Sequence, residues 1–412
     1  MIRLRKLSES AQLPLIAILS YLALMVTTLH LEVPVLLKLH IELLLLLVAV
    51  GSSLHYIVFI EGKKFDYSHA LFFPSLLALA FALSPVLSSF VMGDHLTILE
   101  DAEFKSFVKI LIFVPFVYYF AIEQETQKTV LNSLVIFYVI LGVYFLFRYI
   151  ILNEAREYDD RPTLSIRHGD PNFLCAFFSM TVPLALLQAR ELFKNRRKDL
   201  SAIYIGFSLF LVACALVTES RMGLMALFLG VGIIAQYYVR KKRIGIVPLL
   251  ASFIAAGLIL IVVGAQTPLF KRFSEIKDKS SSDRILTYEN GVKVFFDHPL
   301  LGVGMNRAKD FYYENTHYPE FQTEGKQLVV HNTYLGLAAE LGLWGMSVFV
   351  GIVLWALQGI LKSREDVRPF LAASLVIILL SAMTVGMAYK DLIIVQLFLL
   401  TGVAQGARRG IL

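Results

Sequence analysis

The stretch HNTYLGLAAELGLWG, His331 to Gly345, joins a polar segment to a long apolar run. It therefore places a histidine and an asparagine where a membrane helix is predicted to begin. Similar apolar runs recur along the whole chain of 412 residues, of which 57% are hydrophobic and 17% are charged. This composition predicts a polytopic membrane protein rather than one or two water-soluble domains.

Membrane-spanning helices account for most of the sequence. A bilayer core requires about 20 mostly apolar residues per helix, because it offers no water to satisfy open backbone groups. We expect an all-α fold with about twelve spans, the first of which is retained rather than removed as a signal peptide. The spans are predicted at residues 12–31, 40–60, 69–90, 106–122, 130–152, 172–189, 200–218, 222–239, 244–264, 342–361, 369–387 and 391–407.

Basic residues predict the orientation of these spans, because lysine and arginine collect in short cytoplasmic loops. Alternate connections are basic, as in the run RKKR at 240–243, and an even number of spans places both termini in the cytoplasm. The chain then divides into nine spans at 1–264, an exterior loop with short helices at 265–341, and three spans at 342–412. The net charge of +6 is largely this cytoplasmic belt, so it does not indicate a nucleic-acid partner.

The sequence contains no pattern typical of a metal or nucleotide site. Cys175 and Cys214 both fall inside predicted spans, where we expect no disulfide framework and no bridge between them. CxxC, HExxH, Walker A and GxGxxG patterns do not occur. We therefore expect neither a metal ion nor a cofactor.

Arg221 is the first candidate for binding an anion. It lies in the tight turn TESRMG at 218–223 between two predicted spans, so its guanidinium is expected at the membrane surface. One interpretation is an interfacial arginine or an ion pair with Glu219. The alternative is a fixed clamp for a phosphate at headgroup depth.

Arg284 is the second candidate. The surrounding segment predicts an amphipathic helix over about 283–297, capped by Ser282 or Asp283 and followed by a turn. Arginine in a first turn opposes the helix dipole, so helix stability does not explain it. Anion binding is the alternative, because both a guanidinium and a helix N-terminus suit phosphate oxygens. Arg161 and Arg167 precede the sixth span and add positive charge to the same face.

His331 is the candidate base. The pKa of imidazole lies near neutrality, so histidine is the usual side chain for accepting a proton at physiological pH. A buried or helix-capping histidine is the alternative interpretation. The sequence after it contains Gly336, Gly342 and Gly345, which allow close packing or a break before the span itself.

Four segments together resemble the O-antigen ligase and polymerase superfamily. HNTYLGLAAELGLWG is similar to its His-Asn signature, and ESRMG and DRILTYENGVKVFFDHPLLGVGMN resemble its two arginine-bearing motifs. HGDPNFLCAFF resembles the earlier Asp-Pro-Asn stretch, and the order matches across nearly the whole chain. The resemblance implies a GT-C-like glycosyltransferase of the bacterial inner membrane, active on the periplasmic face, with an undecaprenyl-diphosphate-linked glycan as donor.

The resemblance also implies roles for individual residues in a metal-independent, inverting transfer. His331 removes the proton of the acceptor hydroxyl, while Arg221 and Arg284 hold the departing diphosphate. Further substrate contacts are expected from Arg161, Arg167, Asn332 and Tyr334.

The acceptor distinguishes the possible reactions within this superfamily. Twelve spans and one dominant exterior loop favour a ligase, which transfers the glycan to lipid A-core, whereas a polymerase uses the same donor and stays open. A protein O-oligosaccharyltransferase usually has a longer exterior region after its last span, which counts against it. A membrane transporter predicts ionisable residues at mid-bilayer and internal repeats, and we find neither in the sequence.

Overall fold

The computed structural model describes residues 12–27, 41–56, 72–92, 102–123, 126–152, 171–241, 279–308, 330–386 and 390–409. All regular structure in these ranges is helical. In chain order the helices are α1 (Gln12–Thr27), α2 (Ile41–His55), α3 (Phe72–Val91), α4 (Ala102–Ile122), α5 (Gln127–Phe147), α6 (Pro171–Lys194), α7 (Lys198–Val217), α8 (Arg221–Arg240), α9 (Lys279–Asp297), α10 (Thr333–Lys362), α11 (Arg368–Ser381) and α12 (Lys390–Arg408). A π-helical turn, Arg148–Leu152, continues α5.

Six of the described helices are long and apolar enough to cross a membrane: α3, α5 with its π-helical turn, α6, α7, α8 and α10. Shorter apolar stretches lie within α2, α4, α11 and α12. The prediction of an all-α polytopic membrane protein is therefore confirmed. The predicted span at 244–264 lies outside the described residues, as do 265–278 and 309–329 of the predicted exterior loop, so the division into domains stays a prediction.

Several helix boundaries differ from the sequence prediction; α6 continues to Lys194 rather than ending at 189, and α11 ends at Ser381 rather than at 387. Helix α10 begins at Thr333 rather than at residue 342, because the signature segment before the span is itself helical. Helix α9 begins at Lys279, so Ser282 and Asp283 lie within it, and the prediction that they cap it is wrong. Arg284 consequently lies beyond the first turn. Helix α9 packs along α10, and packing of this kind supplies most helix stability in proteins, with or without a side-chain cap.

The ends of α6, α8, α10 and α11 collect in two groups. At the first, which we name the His331 end, α10 begins beside the end of α11, and Thr333 N donates to Ala382 O at 2.8 Å. Helices α6 and α8 begin at this same end. Phe173, in the first turn of α6, lines a small cavity together with Ala382.

At the opposite end, an ion cluster ties the ends of α6 and α8 to the connection between α10 and α11. Asp366 Oδ2 accepts hydrogen bonds from Arg190 Nη2 and Lys194 Nζ, each at 2.6 Å, and from Arg364 Nη2 at 2.8 Å. Burial raises the pKa of Asp366, but these donors outweigh it and hold the pKa well below its usual range. We name this the Asp366 end. Lys241, after α8, joins it through a 2.7 Å ion pair with Glu365.

Small residues allow the helices to approach closely between these two ends. A side chain at Gly230 of α8 would collide with Ile377 of α11, and one at Gly402 of α12 would collide with the α4 backbone. Helices in a bilayer associate through such close packing, since lipid provides no hydrophobic driving force. Cys175 and Cys214 are both free and buried.

Candidate functional site

Helix α10 is broken at Gly342, where φ is 61° and ψ is −161°. A break leaves backbone N–H and C=O groups without their helical partners, and these groups need others when they are buried. Residues 299–304, which follow α9 and which we name the kink loop, provide those partners. Leu343 N donates to Pro299 O at 2.8 Å, and Trp344 N donates to Leu300 O at 3.1 Å.

The same loop satisfies the carbonyl groups on the other side of the break. Val303 N donates to Ala339 O at 3.1 Å, and Gly304 N donates to Glu340 O at 2.9 Å. A break, one of the two possibilities that the glycine pattern left open, is therefore present, and it is joined to the kink loop by backbone hydrogen bonds in both directions.

Glycine is required on both sides of this junction. A Cβ atom at Gly342 would lie 2.5 Å from the backbone carbon of Leu300, and one at Gly302 would collide with the backbone of Glu340. Both residues also have positive φ, 61° and 68°, which other residues rarely adopt. The kink loop and α10 can interlock this closely only because neither residue has a side chain.

Glu340 lies at the centre of the junction, with only 6% of its surface exposed. Its Oε2 accepts a hydrogen bond from Asn306 N at 2.8 Å, which fixes the chain just after the kink loop. Ser88 of α3 adds a third element, because its hydroxyl lies 3.2 Å from Gly302 O and 3.4 Å from Glu340 O. The junction is therefore held by α3, the kink loop and α10 together.

Asn332 determines where α10 starts. Its Oδ1 accepts hydrogen bonds from the backbone N of Tyr334 at 3.0 Å and of Leu335 at 3.1 Å, which makes it the N-cap. The half-buried His331 immediately precedes it. Thr333 then anchors the turn to the end of α11, through its hydroxyl to Val385 O at 2.7 Å. The backbone immediately after His331 is thus fixed.

Tyr288 of α9 connects the arginine-bearing helix to this turn. Its hydroxyl lies 3.1 Å from His331 O and 3.3 Å from Met383 O, and the Asn332 side chain also hydrogen-bonds to it. Asn332 Oδ1 already accepts two backbone N–H groups, so its Nδ2 is the donor to the phenol. Burial raises the pKa of Tyr288, while the positive charge of Arg284 and the Asn332 hydrogen bond oppose the rise. The phenol therefore keeps its proton at neutral pH and donates it to a carbonyl.

Arg284 lies four residues before Tyr288, which is one turn of α9, so the two side chains lie on the same side of the helix. Arg284 is half-buried and close enough to act electrostatically on the Tyr288 phenol. The structure therefore brings Arg284 and the His331 turn together, with Tyr288 between them.

Arg221 is placed at the same end of the bundle by a separate set of contacts. It is the first residue of α8, and Ser220 caps this helix by accepting a hydrogen bond from Gly223 N at 3.3 Å. The Ser220 hydroxyl also donates to Asn172 Oδ1 at 2.8 Å, which ties the turn to the start of α6. Glu219, at φ 56°, makes the sharp reversal before the cap. Arg221 is thus connected to the His331 turn through α6 and α11.

The remaining candidate residues differ in what the structure says of them. Tyr334 donates its hydroxyl to Leu379 O at 2.6 Å, and its ring lies edge-on to Phe349, so it joins α10 to α11. Arg161 and Arg167 lie outside the described residues, and their expected role stays a prediction. Within the described ranges, no three His, Cys, Asp or Glu side chains are grouped around a position that could hold a metal ion.

Tyr288 and Glu340 were not identified as site residues from the sequence. Both lie inside quoted motifs, Tyr288 one turn after Arg284 and Glu340 beside the glycine of the break. That spacing was the available signal for Tyr288. A lone glutamate in an apolar helix was the signal for Glu340, because a buried carboxylate requires hydrogen-bond donors.

Comparison with known proteins agrees with the family resemblance. Residues 206–350 match the family model described as O-antigen ligase. No match was found among curated proteins. The matched region includes the Ser220 cap, α8, α9, the kink loop, His331 and α10 as far as residue 350, and thus every described candidate residue. The match covers about a third of the chain and supports its resemblance to the O-antigen ligase/polymerase superfamily.

Proposed function

We propose that this protein is an O-antigen ligase, which transfers a glycan from undecaprenyl diphosphate to lipid A-core on the periplasmic face of the inner membrane. The match to the O-antigen ligase family model supports glycosyl transfer in general. The observation that supports the proposed transfer chemistry is the contact of Tyr288 with the His331 turn, because an arginine-bearing helix then lies beside a candidate base.

The leaving group explains the arginines. When the bond between the anomeric carbon and the diphosphate oxygen breaks, its electron pair stays on that oxygen and negative charge develops there. Arg284 and Arg221 stabilise this charge, since a guanidinium presents planar donors that match phosphate oxygens. Electrostatic stabilisation of this kind is strongest at a fixed, partly desolvated site, and both arginines are only half-exposed.

The acceptor explains the histidine. The imidazole of His331 removes the proton from the acceptor hydroxyl as the oxygen attacks the anomeric carbon from the face opposite the diphosphate. A single displacement then inverts the configuration at that carbon. Tyr288, Asn332 and Thr333 hold the backbone of His331 and so restrict where its ring can lie. Precise positioning of a base contributes to the rate because a small displacement weakens proton transfer.

The distribution of basic residues supports the proposed orientation. Lysine and arginine are concentrated at the Asp366 end, in α6, α7, α8, α10, α11 and α12 and their connections. The described members are Arg190, Lys194, Arg196, Arg197, Lys198, Arg240, Lys241, Lys362, Arg364, Arg368, Arg408 and Arg409. Because basic loops are retained in the cytoplasm, the Asp366 end and both termini face the cytoplasm, and the His331 end faces the periplasm.

The acceptor is tested with the purified protein in proteoliposomes that contain an undecaprenyl-diphosphate-linked glycan. Parallel reactions contain or lack lipid A-core, and the glycan is followed by gel. The proposal predicts transfer only when lipid A-core is present. Extension of the lipid-linked glycan without lipid A-core would instead identify a polymerase, and no reaction under either condition would contradict glycosyl transfer.

The residue roles are tested by Arg284→Ala, Arg221→Ala and their lysine counterparts in the same assay. We expect each alanine variant to lose transfer while inserting normally. Lysine keeps the charge but lacks the planar set of donors, so it should restore activity only in part. An alanine variant with full activity would remove that arginine from the proposed mechanism.

A further inference from the structure

Helix α9 has an exposed apolar surface opposite the face that packs on α10. Ile285, Val292 and Phe296 are 59%, 43% and 72% exposed. At about 100° per residue, their positions on the helix fall within about 40° of one another. The packed face, which includes Thr287, Gly291 and Val294, lies on the other side of the helix. Such a surface requires a covering, because large apolar side chains are rarely left together in water.

The exposed apolar side of α10 indicates that the covering of the α9 surface is lipid. Helix α10 is apolar and long enough to span the membrane. Its exposed apolar residues recur at helical spacing along one side and so form a stripe that faces acyl chains. The members of this stripe are Leu343, Val350, Leu354, Leu357 and Leu361, between 38% and 57% exposed.

The two apolar surfaces are continuous. The kink loop joins them, because Leu343 N and Trp344 N donate to Pro299 O and Leu300 O. Leu300 itself is 70% exposed and lies four residues after Phe296, so it continues the apolar surface of α9 into the kink loop. Trp344 is 44% exposed and donates its indole N–H to Ala80 O, as is typical of an aromatic residue near a membrane surface.

Charged residues define the side of α9 that faces water. Glu289, Lys293 and Asp297 are exposed and recur every four residues, on one side of the apolar surface. A helix with one packed, one apolar and one charged side has the arrangement expected for an element that lies in the plane of a membrane surface. We propose that the surface formed by Ile285, Val292, Phe296 and Leu300 is inserted into the outer part of the lipid bilayer.

This insertion has a consequence for the candidate site that goes beyond the transfer reaction itself. It fixes Arg284, on a helix anchored in lipid, at the depth of the phosphate groups of the membrane. The bilayer then supports the position of α9 from one side, and α10 supports it from the other. A phosphate attached to a membrane lipid can meet Arg284 without leaving the bilayer surface.

Site-directed spin labelling tests the insertion without any activity measurement. Phe296→Cys and Val292→Cys place labels on the apolar surface, and Lys293→Cys places a matched control on the charged side of the same helix. The native cysteines are fully buried, so they should not react. The unsubstituted protein measures any background labelling. Each labelled protein is reconstituted in vesicles of phosphatidylcholine and phosphatidylglycerol, and its accessibility to oxygen and to a water-soluble nickel complex is compared.

The inference predicts that oxygen relaxes the labels at 292 and 296 more than the nickel complex does, with the opposite order at 293. Equal access of the nickel complex to all three labels would overturn it. Labels at 292 and 296 shielded from both reagents, with dipolar broadening between molecules, would overturn it in favour of contact between two copies of the chain. Neither outcome depends on whether the protein transfers a glycan, so failure of this inference is distinct from failure of the proposed function.

Discussion

Replacing Gly342 by alanine tests the interlocked backbone around the break in α10. The added Cβ would lie 2.5 Å from Leu300 C and O and 2.6 Å from Gly302 N, distances that require the backbone to move. The unusual φ and ψ cost an alanine about 1–3 kcal/mol. Loss of the two hydrogen bonds from Leu343 and Trp344 adds about 0.5–1.5 kcal/mol each. We therefore expect the junction to be weakened by about 2–6 kcal/mol in total.

Hydrogen exchange measured by mass spectrometry in nanodiscs localises this effect. In Gly342→Ala, the backbone amides of the kink loop and of Leu343 and Trp344 should exchange faster, and the thermal midpoint should fall. Gly351→Ala is the matched control, because Gly351 lies in the same helix with no atom within 4 Å of the position of its Cβ. That variant should keep wild-type exchange throughout. If both variants show the same exchange and the same midpoint, the proposed role of the break is refuted.

Three further changes test other contacts. Tyr288→Phe removes the hydroxyl that reaches the His331 turn. The loss of one hydrogen bond, about 0.5–1.5 kcal/mol, should lower turnover roughly 2- to 13-fold while the protein inserts normally. Unchanged turnover would exclude a positioning role for Tyr288. Asn332→Ala should lose a helix cap worth about 0.5–2 kcal/mol, which lowers the thermal midpoint of unfolding. Asn332→Asp should restore most of this stability because aspartate also caps helices. Equal thermal midpoints for the two variants would contradict the capping role. The pKa of Asp366 is lowered on folding, so its contribution is present above the unfolded value of about 4 and is lost as the pH falls below it. The midpoint difference between the wild type and Asp366→Asn should therefore shrink below about pH 4, and a constant difference from pH 7 to pH 3 would refute the assignment.

The spanning helices were predictable because the requirement for about 20 apolar residues is local and can be seen in the sequence alone. The break in α10 was also predictable in outline, since three glycines follow His331 within a helical segment. Its position at Gly342 was not, because it depends on the kink loop. The bonds across this junction join backbone groups, and these groups are identical in every residue other than proline.

The start of α9 and the role of Tyr288 show the limits of sequence patterns in a different way. Ser282 and Asp283 have the composition of a helix cap, but α9 continues past them to Lys279. Tyr288 contacts His331 across 43 positions in the chain. Neither spacing nor residue type indicates a contact between residues so far apart in the sequence. This contact forms only because α9 packs against α10.

The assignment of His331 as the base is tested most directly by the rate of glycan transfer to lipid A-core in proteoliposomes. His331→Ala is compared with the wild type and with His55→Ala, a control at an exposed histidine at the end of α2. General base catalysis contributes about 100- to 10,000-fold, so His331→Ala should slow transfer by at least about 100-fold. His55→Ala should transfer at the wild-type rate. Transfer by correctly inserted His331→Ala at close to the wild-type rate would contradict the central claim.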